Sequence, residues 1–190
     1  MSESNLTKKI KQSLRYYRPA MSSNMRTIRF AEEVYVGSGY VDSIRFEDYI
    51  ESEERIYICR KLRREMKNLN NPLCMEKELC KGCIHKLSEV RNRTIGILTT
   101  CFEVKISKND FKSKHGHNFK GNRNYYVIPK ELYHDIKDLV PNDIGIILYY
   151  GPGSLRVKKE CEVKNIDKGQ LSVMLYNAMK KWVDKFERYY

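Results

Sequence analysis

Apolar side chains recur along the chain at two periods, and the period changes mark the elements. Between residues 5 and 18, Ile10 and Leu14 are four apart and Tyr17 follows three later, on a basic background. That spacing predicts an amphipathic helix. Residues 25–31 read either as its extension or as the entry to a strand. Residues 33–36 read as a short strand, broken at Gly37, Ser38 and Gly39. Residues 40–46 read as the next strand, which runs into the acidic stretch 47–54. Residues 55–66 begin strand-like and end helix-like, and 68–72 form a turn cluster. The strongest strand signal is TIGILTTCFEVKI at 94–106, β-branched and apolar. A polar stretch, 107–124, separates it from a compact unit: strand 125–128, helix 129–139, strand 144–150. Pro129 suits a helix start and Pro141 marks its stop. A strand–helix–strand unit of this length predicts a parallel pair with a right-handed crossover. Gly151, Pro152 and Gly153 make a turn, 155–163 an edge strand, and 169–188 a final amphipathic helix carrying Leu171, Met174, Leu175, Ala178, Trp182 and Phe186.

Composition narrows the class. The 190 residues suit one domain, or one domain with an insertion. A chain of this size buries about 70% of its unfolded surface and needs no disulfide scaffold. With 41% hydrophobic residues and 14 tyrosines it is no disordered polycation. No apolar run approaches the roughly 18 residues of a membrane span. The polar, lysine-rich start predicts no secretory signal and a cytoplasmic location. In a reducing compartment the six cysteines are metal ligands or buried thiols rather than disulfides.

The formal charge of +12 is unevenly distributed: residues 1–30 carry +6, 31–60 carry −5, 61–125 carry +9, and 126–190 carry +2. Basic surface suggests a polyanion, most often nucleic acid. A soluble, lysine-rich protein is the plain alternative, and the acidic island between basic stretches says more than the total charge.

Candidate chemistry starts at Glu103-Val104-Lys105. Alternate residues of a strand share a face, so Glu103 and Lys105 project together while Phe102, Val104 and Ile106 enter a core. A carboxylate suits a hard divalent cation such as Mg²⁺. A neighbouring ammonium can orient an attacking water or stabilise charge on a phosphoryl group. The bare tripeptide also describes an ordinary exposed ion pair. Asp42, early in its own strand after the glycine turn, can complete a metal site, and Glu33 can add a third oxygen. Both acids also fit as caps of the turn at residues 37–39.

Asp42 followed by Glu103-x-Lys105 resembles the PD-(D/E)xK nuclease superfamily, nearest its MmcB-like branch of DNA-repair and phage-type nucleases. Three stretches carry the likeness. The first is Gly39-Tyr40-Val41-Asp42. The second is Phe102-Glu103-Val104-Lys105-Ile106-Ser107-Lys108-Asn109-Asp110-Phe111. The third is Tyr125-Tyr126-Val127-Ile128-Pro129, and a further apolar strand follows at 144–150. The resemblance covers about 33–47 and 98–150. It implies an α/β fold with a restriction-endonuclease-like core, a mixed sheet flanked by helices. It implies that Asp42 and Glu103 bind Mg²⁺ or Mn²⁺, with Glu33 as the upstream acid and Glu32 as its competitor. Lys105 would position the nucleophilic water. The family usually joins the Asp and Glu-x-Lys strands by a short hairpin. Here about fifty residues intervene, so 48–97 is read as an insertion at the hairpin tip.

That segment holds Cys80-x-x-Cys83, with Cys74 and Cys59 upstream. Four thiolates make a structural zinc site. His85 as a substitute ligand, an iron–sulfur cluster and free buried thiols remain alternatives. Cys101 and Cys161 read as packing residues. Beside the proposed metal site, Lys108, Lys112, Lys114, His115, His117, Lys120 and Arg123 form a basic segment. It is read as phosphate-binding, against a solvated basic face as the plain alternative. Lys8, Lys9, Lys11, Arg15 and Arg18 make a weaker nucleic-acid candidate.

The expected organisation is a single domain over 1–190, with a basic helical segment at 1–30, the cysteine insertion at 48–97, and a C-terminal strand and helix at 151–190. The expected function is Mg²⁺-dependent hydrolysis of DNA phosphodiester bonds, with a homodimer as one candidate state. A catalytically silent DNA binder on the same fold and a zinc-stapled interaction module are the competing classes.

Overall fold

The apolar run in the middle of the chain becomes the strand around which the sheet is built. The computed structural model describes residues 4–17, 28–49, 96–113 and 115–187. Its elements are α1 (Asn5–Tyr16), β1 (Ile28–Tyr35), β2 (Tyr40–Tyr49), β3 (Gly96–Val104), α2 (Lys108–Lys112), β4 (Arg123–Pro129), α3 (Tyr133–Ile136), β5 (Gly145–Gly151), β6 (Ser154–Lys159) and α4 (Lys168–Glu187). Six strands form one sheet in sequential order, β1 to β6. β1 and β2 are antiparallel, β3–β4 and β4–β5 parallel, and β5–β6 antiparallel. The fold is therefore α/β with a mixed sheet flanked by helices.

Contacts divide the chain into two units. One comprises Met1–Ser23, Thr27–Glu47 and Leu98–Tyr190; the other comprises Asn24–Arg26 and Asp48–Ile97. Nearly all of the second, including Cys59, Cys74, Cys80, Cys83 and His85, lies outside the described residues.

Strand alternation sorts the first unit's core into two layers. Phe102 and Val104 of β3 pack with Ile10 and Leu14 of α1, and with Tyr125, Val127, Ile147, Tyr149 and Leu155. The opposite layer gathers Phe111, Tyr126, Ile128, Leu132, Ile136, Val140, Ile144, Ile146 and Leu148. α4 runs against β1. Its Met174 and Ala178 are buried, Trp182 Nε1 donates to the Phe30 carbonyl (3.0 Å), and Gln170 donates to the Val36 carbonyl (2.9 Å).

α1 is closed at both ends. Ser4 Oγ accepts from the Thr7 N–H (3.1 Å), satisfying a donor that the first turn leaves free. At the other end, Arg45 of β2 donates to the carbonyls of Leu14 (2.8 Å) and Tyr17 (2.6 Å). A cation there also faces the negative pole of the helix. Arg45 is 1% exposed and its guanidinium lies 5.3 Å from the centre of the Phe102 ring. One buried cation thus fixes how α1 sits on the sheet.

Of the two readings of 25–31, the strand entry is the one observed from Ile28 on, and it continues through 33–35 as a single strand, β1. The paired acids Glu32 and Glu33 obscure its alternation, and antiparallel pairing with β2 overrides their low strand preference. The 129–139 crossover is a short α-helix between two 3₁₀ turns, Lys130–Leu132 and Lys137–Leu139. It still buries Leu132 and Ile136, which is all a return path between parallel strands requires. The edge strand stops at Lys159.

Candidate active site

The ends of β2 and β3 and the loop after α2 meet around Glu103. On β3, Glu103 lies opposite Tyr126 of β4 and is 2% exposed. Burial is the main reason its carboxyl is pushed up from 4.5 to about 8, and the neighbouring Asp42 carboxylate adds to the rise. Lys105 and a backbone hydrogen bond from Asn118 oppose it without cancelling it. Glu103 Oε1 is buried and has no hydrogen-bond partner. A buried acceptor in that state is costly, and a cation is one way to satisfy it.

Asp42 reaches the site from β2, the neighbour of β3 in the sheet. Its Oδ2 accepts from the Val104 N–H (2.8 Å), and its Oδ1 lies 3.4 Å from Lys11 Nζ of α1. It is near enough to Glu103 to share a hydrogen bond and a charge interaction with it. The fifty-residue interruption has therefore not separated the two carboxylates.

Lys105, just past the end of β3, is 3% exposed. Its Nζ donates to the His115 carbonyl (2.6 Å) and lies 3.6 Å from Asp110 Oδ1. Asp110 is itself held, because its Oδ2 accepts from the Ile106 N–H (3.0 Å) and its N–H donates to Ser107 Oγ (3.1 Å). The Ser-x-x-Asp string is thus an N-cap of α2 whose aspartate also steadies the lysine.

Gly116 closes the site. Its φ of +72° is a conformation side chains rarely adopt, and a Cβ there would lie 2.7 Å from Lys105 Nζ and 2.9 Å from Glu103 Oε2. A side chain at this position would have to push aside the ends of both functional groups. Asn118, two residues on, donates its side-chain amide to the Tyr40 carbonyl (3.1 Å) and lies over Gly39, where a Cβ would come within 2.5 Å of it. This contact ties the loop to the β1–β2 turn and so to the Asp42 strand.

Glu33 takes a different place. By the β1–β2 register it sits across from Asp42, between the pairs Glu32–Ser43 and Val34–Val41. It has a φ of +53° and an exposed side chain. Among the described residues no three His, Cys, Asp or Glu side chains converge as a metal-holding group, so Glu33 is not brought together with Asp42 and Glu103. Glu32 instead pairs with Arg15 at 2.6 Å.

The basic segment does not act as a block. Lys108, Lys112 and Lys120 are exposed, and Lys114 lies outside the described residues. His117 bonds the Tyr126 hydroxyl and, through its other ring nitrogen, the Ser113 carbonyl (2.8 Å). It braces the loop rather than standing ready for a phosphate. Arg123 borders a groove of about 440 Å³, together with Tyr17, Arg45, Phe102, Tyr125 and Glu160, on the layer of the sheet that packs α1. Burial pushes the Cys101 thiol up to about 12, which suits a packing residue and not a nucleophile.

Sequence reasoning missed Gly116 and Asn118, and it placed Lys11 in a basic nucleic-acid stretch rather than beside Asp42. Lys11 follows Ile10 and precedes Leu14 by three, which places it beside the buried stripe of α1 and could have marked it. Gly116, between two histidines, had the signal of a turn but none of its proximity to Glu103 and Lys105.

No family model matches the chain, and no curated protein matches it. Among solved structures it is similar to a protein of unknown function from Silicibacter pomeroyi. The identity is 11%, 84% of this chain and 77% of that chain are covered, and the TM-score is 0.48.

Proposed function

We propose that the chain is a Mg²⁺-dependent nuclease that hydrolyses DNA phosphodiester bonds, with Asp42, Glu103 and Lys105 as its working groups. The observation that carries this reading is their convergence. Two carboxylates from neighbouring strands and a buried ammonium meet beside a glycine whose backbone lies close against them.

The residues present fit a divalent cation. Mg²⁺ is commonly held by one or two carboxylates, its remaining positions filled by water and substrate phosphate oxygens. The unpartnered Glu103 Oε1 supplies an anchor, and Asp42 a second. When bound, the ion would polarise a phosphoryl oxygen and make water a better nucleophile.

The chain's own groups do the rest. Lys105, fixed by His115 and Asp110, orients the attacking water and offsets charge building on the phosphoryl oxygens. The Val104 N–H holds Asp42 in place. Exposed Lys108, Lys112 and Lys120 contact flanking phosphates without reading sequence. Cys59, Cys74, Cys80 and Cys83 form a structural zinc site in this proposal, which metal analysis of the purified protein tests.

Supercoiled, linear and single-stranded DNA incubated with Mg²⁺, Mn²⁺ or EDTA provides the decisive assay. Cleavage should require the divalent ion and fall about 100-fold or more in Lys105→Ala and Glu103→Gln, the scale of lost transition-state electrostatics. Cleavage that persists undiminished in both variants would show that these groups catalyse nothing.

A further inference from the structure

Lys11 is an unusual lysine. It is 6% exposed, although lysine is rarely buried without a partner. Its neighbours in the helix, Ile10 and Leu14, are fully buried, so the helix face that seals the core also carries this ammonium to the edge of the site. There Nζ lies 3.4 Å from Asp42 Oδ1, while Oδ2 of the same carboxylate accepts the Val104 N–H. Both oxygens of Asp42 are therefore engaged, one by a rigid backbone donor and one by a positive charge. Glu103, close by, has an oxygen with no partner. The two carboxylates differ: Asp42 has both oxygens engaged, while Glu103, with Lys105 nearby, keeps one oxygen without a hydrogen-bond partner.

We propose that Lys11 serves as the resting counter-cation of Asp42 and thereby weakens the hold of Asp42 and Glu103 on a divalent ion. The inference rests on the metal-dependent reading of Asp42 and Glu103. An ammonium within contact distance of one ligand repels an incoming divalent ion at short range. Lys11 is buried and Asp42 partly so, which leaves that repulsion less screened than at an open surface. The backbone bond from Val104 keeps Asp42 oriented when the ammonium is removed, so charge and position can be separated experimentally.

The test is Mn²⁺ binding to the purified full chain without DNA, counted by electron paramagnetic resonance of free Mn²⁺. Wild type is compared with Lys11→Met, which keeps an unbranched apolar stem, and Lys11→Arg, which keeps the charge. Wild type should bind one Mn²⁺ per chain. Lys11→Met should bind it about tenfold or more tightly, and Lys11→Arg should stay within about threefold of wild type. Unchanged affinity in Lys11→Met, or lost binding in a folded Lys11→Met protein, would overturn the role given to Lys11. If wild type binds no Mn²⁺ at Asp42 and Glu103, shown by a titration identical to that of Glu103→Gln, the metal-dependent reading itself fails instead. Should Lys11→Met not fold, Lys11→Gln removes the charge while keeping a donor toward Oδ1, and the same comparison applies.

Discussion

Replacing Glu103 with glutamine should change the pH dependence of stability more than it changes stability at any single pH. In the folded chain the Glu103 carboxyl is raised from 4.5 to about 8, first by burial and then by Asp42. The folded state therefore holds a proton that the unfolded state has already released. The sign follows from linkage: below about pH 4.5 both states are protonated and the group costs nothing. Between 4.5 and about 8 the stability falls steadily as pH rises. Above about 8 the penalty is complete. At about 1.4 kcal/mol per pH unit, the full penalty is on the order of 5 kcal/mol, and solvent relaxation around the site would reduce it. Glutamine stays neutral, keeps the volume, and can donate to Asp42. Metal-free Glu103→Gln should thus match wild type near pH 5, exceed it increasingly toward pH 8 and hold that advantage above it. Urea denaturation in EDTA at pH 5, 6, 7, 8 and 9 measures this directly. A second arm with Mg²⁺ should recover wild-type stability at high pH and leave Glu103→Gln unchanged, because a ligand that binds only the folded state stabilises it. Parallel stability curves for the two proteins across pH 5–9 would refute the claim that Glu103 is buried as a strained carboxylate.

Two further outcomes follow from the site and its surface. Gly116→Ala should cost about 1–2 kcal/mol through its left-handed backbone and weaken Mn²⁺ binding by tenfold or more, because its Cβ would crowd Lys105 Nζ and Glu103 Oε2; wild-type Mn²⁺ affinity in this variant would mean the loop can retreat freely. The triple variant Lys108→Gln, Lys112→Gln, Lys120→Gln should lower the slope of log affinity for duplex DNA against log salt by up to about three while sparing Mn²⁺ binding, and an unchanged slope would remove this face from the DNA interface.

Much of the architecture was legible because it is local. The spacing of Ile10 and Leu14 predicts α1, and both residues are buried at its core face. The β-branched run gives β3, and Pro129 with Pro141 brackets a crossover between strands that are indeed parallel. Elements whose periodicity is interrupted were harder. Glu32 and Glu33 hide the start of β1, because pairing with β2, not side-chain pattern, makes that stretch extended.

At the site, the shared side of Glu103 and Lys105 can be read from the chain alone, since a strand's period of two fixes it within three residues. The chain also singled out Asp42 as a candidate partner. That Asp42 reaches Glu103 across the long interruption emerges with the sheet, because strand neighbourhood is a property of the sheet and not of separation along the chain. The packing also decided that Glu33 points away to solvent, that His117 braces Tyr126, and that Lys11 belongs beside Asp42 rather than on a basic surface. Burial and charge proximity depend on which elements pack together, and that information is spread over residues more than sixty apart, as in the Asp42–Val104 hydrogen bond.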